Sequence, residues 1–173
     1  MRKFGLFLLT FLTIGFTENV KAYEYISIEV PEPMPVGKGR LTWMFWDVYD
    51  VTLFAPKGQF EDEPPFALSL TYLRKLDGKE IADRSAEEMR RLGMNDEVKL
   101  ATWHNQMRQI FPDVSKGKRL TGVYNRDKVS IFYEDGKEIG RIQDSEFGSY
   151  FFDIWLAKET KKPTLRAQLL GVQ

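Results

Sequence analysis

The stretch IFYEDGKEIGRIQDSEFGSYFFDIWLA, residues 131–157, combines a β-hairpin with an aromatic helix. Asp135-Gly136 predicts a two-residue hairpin turn between strands at residues 128–134 and 138–143. The helix that follows begins near Asp144, and its apolar residues recur at positions that share one face: Phe147, Tyr150, Phe151, Ile154 and Trp155. A strand pair followed by an amphipathic helix predicts an α+β arrangement in which the helix packs on the sheet.

The residues before this hairpin predict the remaining strands of an antiparallel sheet. Alternating side chains predict an opening strand at residues 23–30, and the prolines at positions 31, 33 and 35 are expected to prevent regular pairing after it. Residues 40–54 predict a long strand that is apolar, and therefore covered, on both faces, and whose length favours a bend or an interruption. Residues 66–74 and 119–124 predict two further strands.

Boundary signals predict three more helices. The first covers residues 85–92 and begins with a capping box formed by Ser85 and Glu88. The second is capped by Asn95 or Asp96 and reaches Phe111, and the last lies between Pro163 and Gly171. Asp77-Gly78 predicts a turn before the first of them. The apolar stripe expected in the second has Trp103 beside it and contains Val98, Ala101, Met107, Ile110 and Phe111. The sequence shows no repeat or linker, so we expect one domain with helices on one side of the sheet.

The first 22 residues have the pattern of a secretory signal peptide. Arg2 and Lys3 precede an apolar run at residues 4–16, and Val20-Lys21-Ala22 supplies the small residues of a cleavage site. The run is short for a membrane span. We therefore expect cleavage after Ala22, a domain at residues 23–173 and a periplasmic or secreted location, with an uncleaved N-terminal anchor as the alternative.

Composition argues against several kinds of function. The chain has 25 basic and 25 acidic residues, and removal of residues 1–22 leaves 22 and 24, so no basic excess neutralises nucleic-acid phosphates. Without cysteine there is no thiol nucleophile or thiolate metal site, and His104 is the single histidine. We therefore expect no nucleic-acid partner, no metal, no cofactor and no membrane span after signal cleavage.

Short segments along nearly the whole mature chain carry a family resemblance. They are residues 37–40 with 48–58, 65–68, 110–114 with 120–124, 140–142, 151–156 and 164–166. In this order they resemble the chalcone isomerase-like family, in particular its secreted bacterial branch. The resemblance implies an open-faced β-sandwich, in which a large antiparallel sheet carries a helical layer with a cleft between them.

The enzyme branch of this family implies an isomerase of the intramolecular lyase type. Such an enzyme holds a substrate phenolate and stabilises the enolate that develops during ring closure. Arg40, Tyr72 and Lys75 match its Arg, Tyr and Lys when the chain is aligned from the third strand. They would serve an enone-like substrate. Alignment backwards from the Ser85 helix instead places Asp77 and Glu80 at the Tyr and Lys positions, and the site is then lost.

Three departures from that pattern argue against chalcone cyclisation. Lys79 stands where the enzyme pattern has Asn, and Val48 and Asp153 fall near positions where it has hydroxyl residues. We therefore expect no acceleration of this reaction.

The fatty-acid-binding branch of the family implies a simpler site. Arg40 and Tyr49, with Tyr72, would bind a carboxylate, because the planar fork of arginine donates two parallel hydrogen bonds to it. Residue type alone also allows a solvated Arg40 and two core tyrosines. The expected function is an exported, non-catalytic protein that binds a fatty acid or similar apolar anion in the cleft. The alternatives are the isomerase and an envelope interaction protein without a small ligand.

Asp47 interrupts the apolar pattern of residues 40–54. An unpaired carboxylate on a covered strand would be costly. Asp47 therefore either faces solvent at a bulge or pairs with a cation in the cleft, and the sequence leaves both possibilities open.

Overall fold

A computed structural model describes residues 21–172, and the predicted signal peptide lies almost wholly outside this range. The described part begins with a 3₁₀ helix at Lys21–Ile28. Its strands are β1 (Pro33–Trp43), β2 (Trp46–Pro56), β3 (Phe66–Tyr72), β4 (Arg119–Tyr124), β5 (Ser130–Glu134) and β6 (Lys137–Ile142). Its α-helices are α1 (Gly78–Arg91), α2 (Glu97–Ile110), α3 (Ser145–Leu156) and α4 (Pro163–Leu170).

The strands form one antiparallel sheet in which the spatial order follows the sequence, from β1 at one edge to β6 at the other. The predicted hairpin turn joins β5 to β6, and φ is +48° at Asp135 and +88° at Gly136. Two successive positive φ angles are typical of the turn that Asp-Gly favours. The predicted α+β fold class, an open antiparallel sheet with a helical layer, is confirmed.

The sheet separates two hydrophobic cores. The larger core lies between the sheet and the α-helices and includes Val51 and Leu53 of β2. The smaller core lies on the opposite face, here called the open face, where Ile26 of the 3₁₀ helix packs in one cluster with Phe54. Because side chains alternate along a strand, the odd-numbered residues 49–55 of β2 face the helices and the even-numbered residues 50–54 face away from them.

The helix α1 begins earlier than its capping-box signal predicted. The carboxylate of Asp77 accepts hydrogen bonds from the backbone N–H groups two and three residues later, at 2.7 and 3.3 Å. Ser85 lies inside the helix, where its hydroxyl donates to the carbonyl of Ile81 at 2.8 Å. The predictions of a cap at Ser85 and of a turn at Asp77-Gly78 were therefore wrong, because Asp77 satisfies the free N–H groups of the first turn.

The buried face of α2 agrees with the predicted stripe at its C-terminal end, where Met107 and Phe111 are buried, and differs from it at the N-terminal end. Asp96 caps this helix, as one of the two predicted alternatives, by accepting a hydrogen bond from the N–H of Lys99 at 2.9 Å. The core side chains of α2 are Leu100, Trp103 and Met107, whereas Val98 is 80% exposed. In α3 the predicted face is confirmed at Phe147, Phe151 and Trp155, which are all buried. None of the described helices has the length and apolar character needed to cross a bilayer.

The predicted opening strand at residues 23–30 is wrong, because most of it forms the 3₁₀ helix. Ile26 and Val30, four residues apart, are both fully buried, and this spacing suits a helical turn better than the alternation of a strand. Pro33 and Pro35 lie within β1, although they were expected to prevent pairing. They are accommodated because β1 is an edge strand, which has no partner on its outer side.

Residues 40–54 form parts of two strands, so the interruption that their length favoured takes the form of a hairpin turn. β1 ends at Trp43 and β2 begins at Trp46, which pair with each other across a turn made by Met44 and Phe45. Phe45 is 91% exposed, so the prediction that this segment is covered on both faces is wrong at the turn. The sequence was ambiguous here because an apolar hairpin tip and a buried strand share the same run of large apolar residues.

Candidate ligand-binding cleft

A cleft between the sheet and the helical layer opens where β3 begins and β4 ends. It has a volume of ≈ 340 Å³, and Phe60, Phe66, Tyr124 and Phe152 line it. The ring centroid of Phe66 lies 5.2 Å from that of Phe60 and 5.1 Å from that of Phe152. Small-molecule sites usually have volumes of about 300–1,000 Å³, so this cleft has the size of a small site. Phe66, Tyr124 and Phe152 are only 2–4% exposed, so their rings form its floor, while charged side chains make up much of its rim.

Two features of the sequence set α3 against the end of β4. A Cβ atom at Gly148 would lie 2.3 Å from the ring of Tyr124, so only glycine permits this close approach. The hydroxyl of Tyr124 donates to the carbonyl of Ser145 at 2.8 Å, and Asp144 caps the helix by accepting from the N–H of Glu146 at 3.0 Å. These contacts hold the first turn of α3 over the strand end and so define one wall of the cleft.

Arg166 of α4 is the cation that the backbone positions at this cleft. Its Nε donates to the carbonyl of Leu156, in the last turn of α3, at 2.6 Å. Within residues 21–172 the two terminal guanidinium nitrogens of Arg166 make no hydrogen bond or ion pair. Because a guanidinium presents its N–H groups as a planar fork, these two nitrogens are available to a carboxylate or another anion.

A second cleft of ≈ 490 Å³ adjoins the first. Phe60, Asp62 and Arg166 line both clefts, and Val36 and Leu170 add apolar surface to the second. Arg166 therefore stands between two partly apolar spaces. An elongated apolar ligand could lie in one of them with its polar end at Arg166.

Acidic residues also line the first cleft and outnumber the basic ones. The acids are Asp62, Glu63, Asp153 and Glu159, and the bases are Lys128, Lys158 and Arg166. Partial burial, followed by repulsion from the carboxylates of Asp62 and Glu159, raises the pKa of Asp153 above its ordinary value. An anionic ligand would therefore meet a favourable partner at Arg166 and an unfavourable one at Asp153.

Arg40 lies on the face of the sheet away from the helices. It pairs with Asp50 across β1 and β2, with Nε to Oδ1 at 2.6 Å and Nη2 to Oδ2 at 3.0 Å, and its Nη1 donates to Asp47 at 2.8 Å. Hydrogen bonds from Thr42 and then from Arg40 lower the pKa of Asp47. Asp47 thus pairs with a cation next to the irregularity between Leu41 and Thr42, but the pair lies outside the helix-facing core.

Tyr49 and Tyr72 lie together in the helix-facing core. They pair across β2 and β3, and their ring centroids are 5.7 Å apart. The hydroxyl of Tyr49 accepts a hydrogen bond from the indole N–H of Trp155 at 2.8 Å, whereas the hydroxyl of Tyr72 has no such partner within residues 21–172. Burial raises the pKa of both phenols well above the ordinary value, so both stay protonated at neutral pH.

The structure therefore brings together two of the three residues that the sequence grouped as an anion site. Tyr49 and Tyr72 share one face of the sheet, and Arg40 lies on the other, where two carboxylates occupy its donors. The same separation applies to the alternative catalytic set, because Tyr72 is buried in the core while Lys75 is exposed in the segment after β3. Ligand contact by Arg40 stays a prediction of the family resemblance alone, and Arg40→Ala tests it.

Sequence reasoning missed Phe60 and Arg166 as cleft residues. Phe60 lies in a polar loop with no periodic pattern, and Arg166 was included only as part of a family segment. Asp153, which the resemblance placed near a site hydroxyl, does line the cleft. Within residues 21–172 no group of three or more acidic or histidine side chains is arranged to hold a metal ion.

Comparisons with known proteins agree with this architecture. A family model described as chalcone isomerase-like matches residues 36–171. An uncharacterized protein of Haemophilus influenzae is 31% identical over 138 residues, which cover 79% of this chain and 67% of that protein. The chain therefore belongs to the chalcone isomerase-like family, as the resemblance predicted.

A solved structure shares the fold. The crystal structure of an Arabidopsis thaliana fatty-acid binding protein, AtFAP1, is similar with a TM-score of 0.62 and covers 81% of this chain and 87% of its own. The two sequences are 12% identical, so the similarity concerns the arrangement of the sheet and helices and not individual site residues.

Proposed function

We propose that this protein is an exported, non-catalytic member of its family that binds a fatty acid or a similar apolar anion. The observation that carries the proposal is the cleft itself, in which an aromatic floor lies beside terminal nitrogens of Arg166 that have no partner within residues 21–172. The name of the similar fatty-acid binding protein of Arabidopsis thaliana supports the same class of ligand.

The energetics of such a ligand favour a mainly apolar site. An acyl chain gains about 0.8 kcal/mol for each CH₂ group that leaves water, reduced by the loss of its own freedom. A hydrogen bond to a charged group contributes about 1.5–3 kcal/mol. The acyl chain therefore supplies most of the affinity, and the contact with Arg166 orients the carboxylate.

The absence of an assembled catalytic set supports a binding role. An isomerase would need its cation and its phenol at one substrate. Arg40 is paired with Asp47 and Asp50 on the open face, Tyr72 is buried on the helix face, and Lys75 is exposed. Within residues 21–172, no hydrogen bond, ion pair or ring contact joins any two of Arg40, Tyr72 and Lys75.

Export rests on the N-terminal sequence. The basic start, the apolar run at residues 4–16 and the Val20-Lys21-Ala22 site predict a periplasmic or secreted protein that begins at Tyr23. Intact-mass measurement of the protein from cell fractions tests this. A membrane-retained form that begins at Met1 would contradict it.

Native mass spectrometry of the protein purified from the cells that make it tests the binding function. We expect a fraction of the molecules to carry an added mass, and solvent extraction to release a fatty acid of the same mass. A protein that emerges without ligand and does not take up added long-chain fatty acid would overturn the proposal.

A further inference from the structure

The turn between β1 and β2 exposes four consecutive large apolar side chains, here called the hairpin tip. They are Trp43, Met44, Phe45 and Trp46, with exposures of 53%, 71%, 91% and 61%. The pairing of β2 with β3 ends at Tyr49, so the tip extends beyond the neighbouring strand. Contiguous exposed apolar residues of this kind usually mark an interaction surface, because isolated soluble domains avoid them.

The backbone of the tip is strained at Met44, which carries a large side chain. Met44 has φ of +55°, a conformation that is uncommon for residues other than glycine, asparagine and aspartate. Glycine is favoured at the first central position of a two-residue hairpin turn that needs a positive φ there. Met44 therefore places apolar surface where glycine would give a more relaxed turn.

Two arginines flank the tip with unoccupied donors. The guanidinium carbon of Arg74 lies 5.3 Å from the ring centroid of Trp46, and that of Arg84 lies 5.6 Å from the ring centroid of Trp43. Neither guanidinium makes a hydrogen bond or an ion pair with a residue of the described range, 21–172. Their N–H groups are therefore available to an external anion, and arginine suits phosphate well.

We propose that the hairpin tip docks this protein onto the headgroup region of an anionic lipid bilayer. Tryptophan favours the boundary between headgroups and acyl chains, and arginine beside it can bind lipid phosphates. A bilayer fits better than a second protein, because the two arginines beside the two tryptophans together match the phosphate and interfacial layers of an anionic membrane.

The docking surface is separate from the proposed ligand cleft. The tip lies where β1 ends and β2 begins, whereas the cleft opens where β3 begins and β4 ends, at the opposite end of the sheet. The membrane proposal therefore goes beyond the binding function and does not depend on it. Variants of the tip should leave the cleft unchanged.

The positions of the tryptophans make insertion directly measurable. The chain has four, of which Trp103 and Trp155 are 1% and 9% exposed, while Trp43 and Trp46 belong to the tip. Vesicles of phosphatidylcholine and phosphatidylglycerol with brominated acyl chains should therefore quench mainly the tip tryptophans. We expect the vesicles to quench the tryptophan fluorescence of wild type. The double variant Trp43→Phe/Trp46→Phe should lose most of this quenching but should still float with the vesicles.

Flotation with the same vesicles, without bromine, measures the contribution of the apolar tip. Phe45→Ser should weaken binding about tenfold to hundredfold, since burial of one large apolar side chain contributes 1.5–3 kcal/mol, converted at ~1.4 kcal/mol per decade. Met34→Ser removes a side chain that is 53% exposed at the other end of β1, and it should bind like wild type. Intact-mass measurement checks that every variant has the same N-terminus as wild type, with residues 1–22 either present or removed in all of them.

The arginines give an independent test with a different lipid dependence. Arg74→Gln and Arg84→Gln should each weaken binding to anionic vesicles about fivefold, because one basic residue near such a surface contributes ~1 kcal/mol. Binding to pure phosphatidylcholine should change little. Wild type that does not bind anionic vesicles, or Phe45→Ser that binds as well as wild type, would overturn the proposal. So would dimerisation that Phe45→Ser abolishes, because it would assign the tip to self-association.

Discussion

The guanidinium of Arg40 faces the carboxylate of Asp50 across β1 and β2 and forms a two-point contact with it, at 2.6 and 3.0 Å. Asp47 takes a third donor of the same guanidinium at 2.8 Å. Three of the five N–H donors of Arg40 are therefore engaged, and a ligand carboxylate could reach only the one that remains on each terminal nitrogen unless it displaced an aspartate. The arginine that the family resemblance singles out is thus engaged within the protein, on the face away from the helices.

Arg40→Ala tests the consequence of this engagement. We expect the affinity for a long-chain fatty acid to change by less than about threefold, since the two aspartates already occupy three of the five donors and balance the charge of Arg40. The free energy of unfolding should fall, because Asp47 and Asp50 lose their shared cation. Calorimetric titration and urea unfolding measure the two effects. A tenfold or larger loss of affinity with unchanged stability would instead support the anion-binding role that the resemblance implies.

The buried tyrosines should differ in their contribution to stability. Tyr49→Phe leaves the indole N–H of Trp155 without its acceptor and should lower the free energy of unfolding by about 1–3 kcal/mol. Tyr72→Phe removes a hydroxyl that has no hydrogen-bond partner in the described structure, so the free energy of unfolding should change by less than about 1 kcal/mol. Urea unfolding of both variants checks the difference. Equal losses would show that the hydrogen bond to Trp155 is not the source of the effect.

Asp153→Asn should stabilise the protein at neutral pH. The pKa of Asp153 is raised in the folded state, so this carboxyl binds its proton more tightly when folded. Stability therefore falls as pH rises from the ordinary pKa of 3.8 through the raised folded pKa, and the asparagine variant escapes this loss. Thermal unfolding should show a larger difference between variant and wild type at about pH 7 than at about pH 4.

The same substitution should strengthen binding of an anionic ligand. Asp153 lines the cleft, and its negative charge opposes a ligand carboxylate. Fatty-acid titration at neutral pH should give a lower dissociation constant for Asp153→Asn than for wild type. Unchanged affinity would place the ligand's charged end away from Asp153.

Chalcone cyclisation should proceed at its spontaneous rate in the presence of this protein. Arg40, Tyr72 and Lys75 are not assembled around one cleft. The decrease of chalcone absorbance with and without protein measures the rate. Saturable turnover that disappears in Tyr72→Phe would restore the isomerase interpretation.

The family and fold class could be predicted because local and tertiary signals agree. Asp135-Gly136 lies between two strand patterns and forms the predicted hairpin turn, β4 has the predicted bounds of residues 119–124, and the aromatic stripe of α3 faces the sheet. Errors arose where a local pattern has two structural solutions. The alternation at residues 23–30 became a 3₁₀ helix, and the apolar run at residues 40–54 became a hairpin.

The candidate cleft depends on contacts that the sequence does not encode locally. Arg166 joins the cleft because α4 packs against the end of α3, where its Nε meets the carbonyl of Leu156. Arg40 pairs with Asp50 because of the register of β1 and β2, which a single-strand prediction cannot contain. Residue type identified possible anion-binding groups, and only the packing distinguishes those that are already paired.

Calorimetric titration with long-chain fatty acids tests the central claim most directly. Wild type should bind saturably, and each CH₂ group removed from the ligand should weaken binding by up to roughly fourfold, from ~0.8 kcal/mol per group. Arg166→Ala should weaken binding about tenfold to hundredfold, while Arg141→Ala on β6, whose partner is Glu138, should bind like wild type. Absence of binding to wild type would contradict the proposed function, and equal binding to Arg166→Ala would contradict the assigned site.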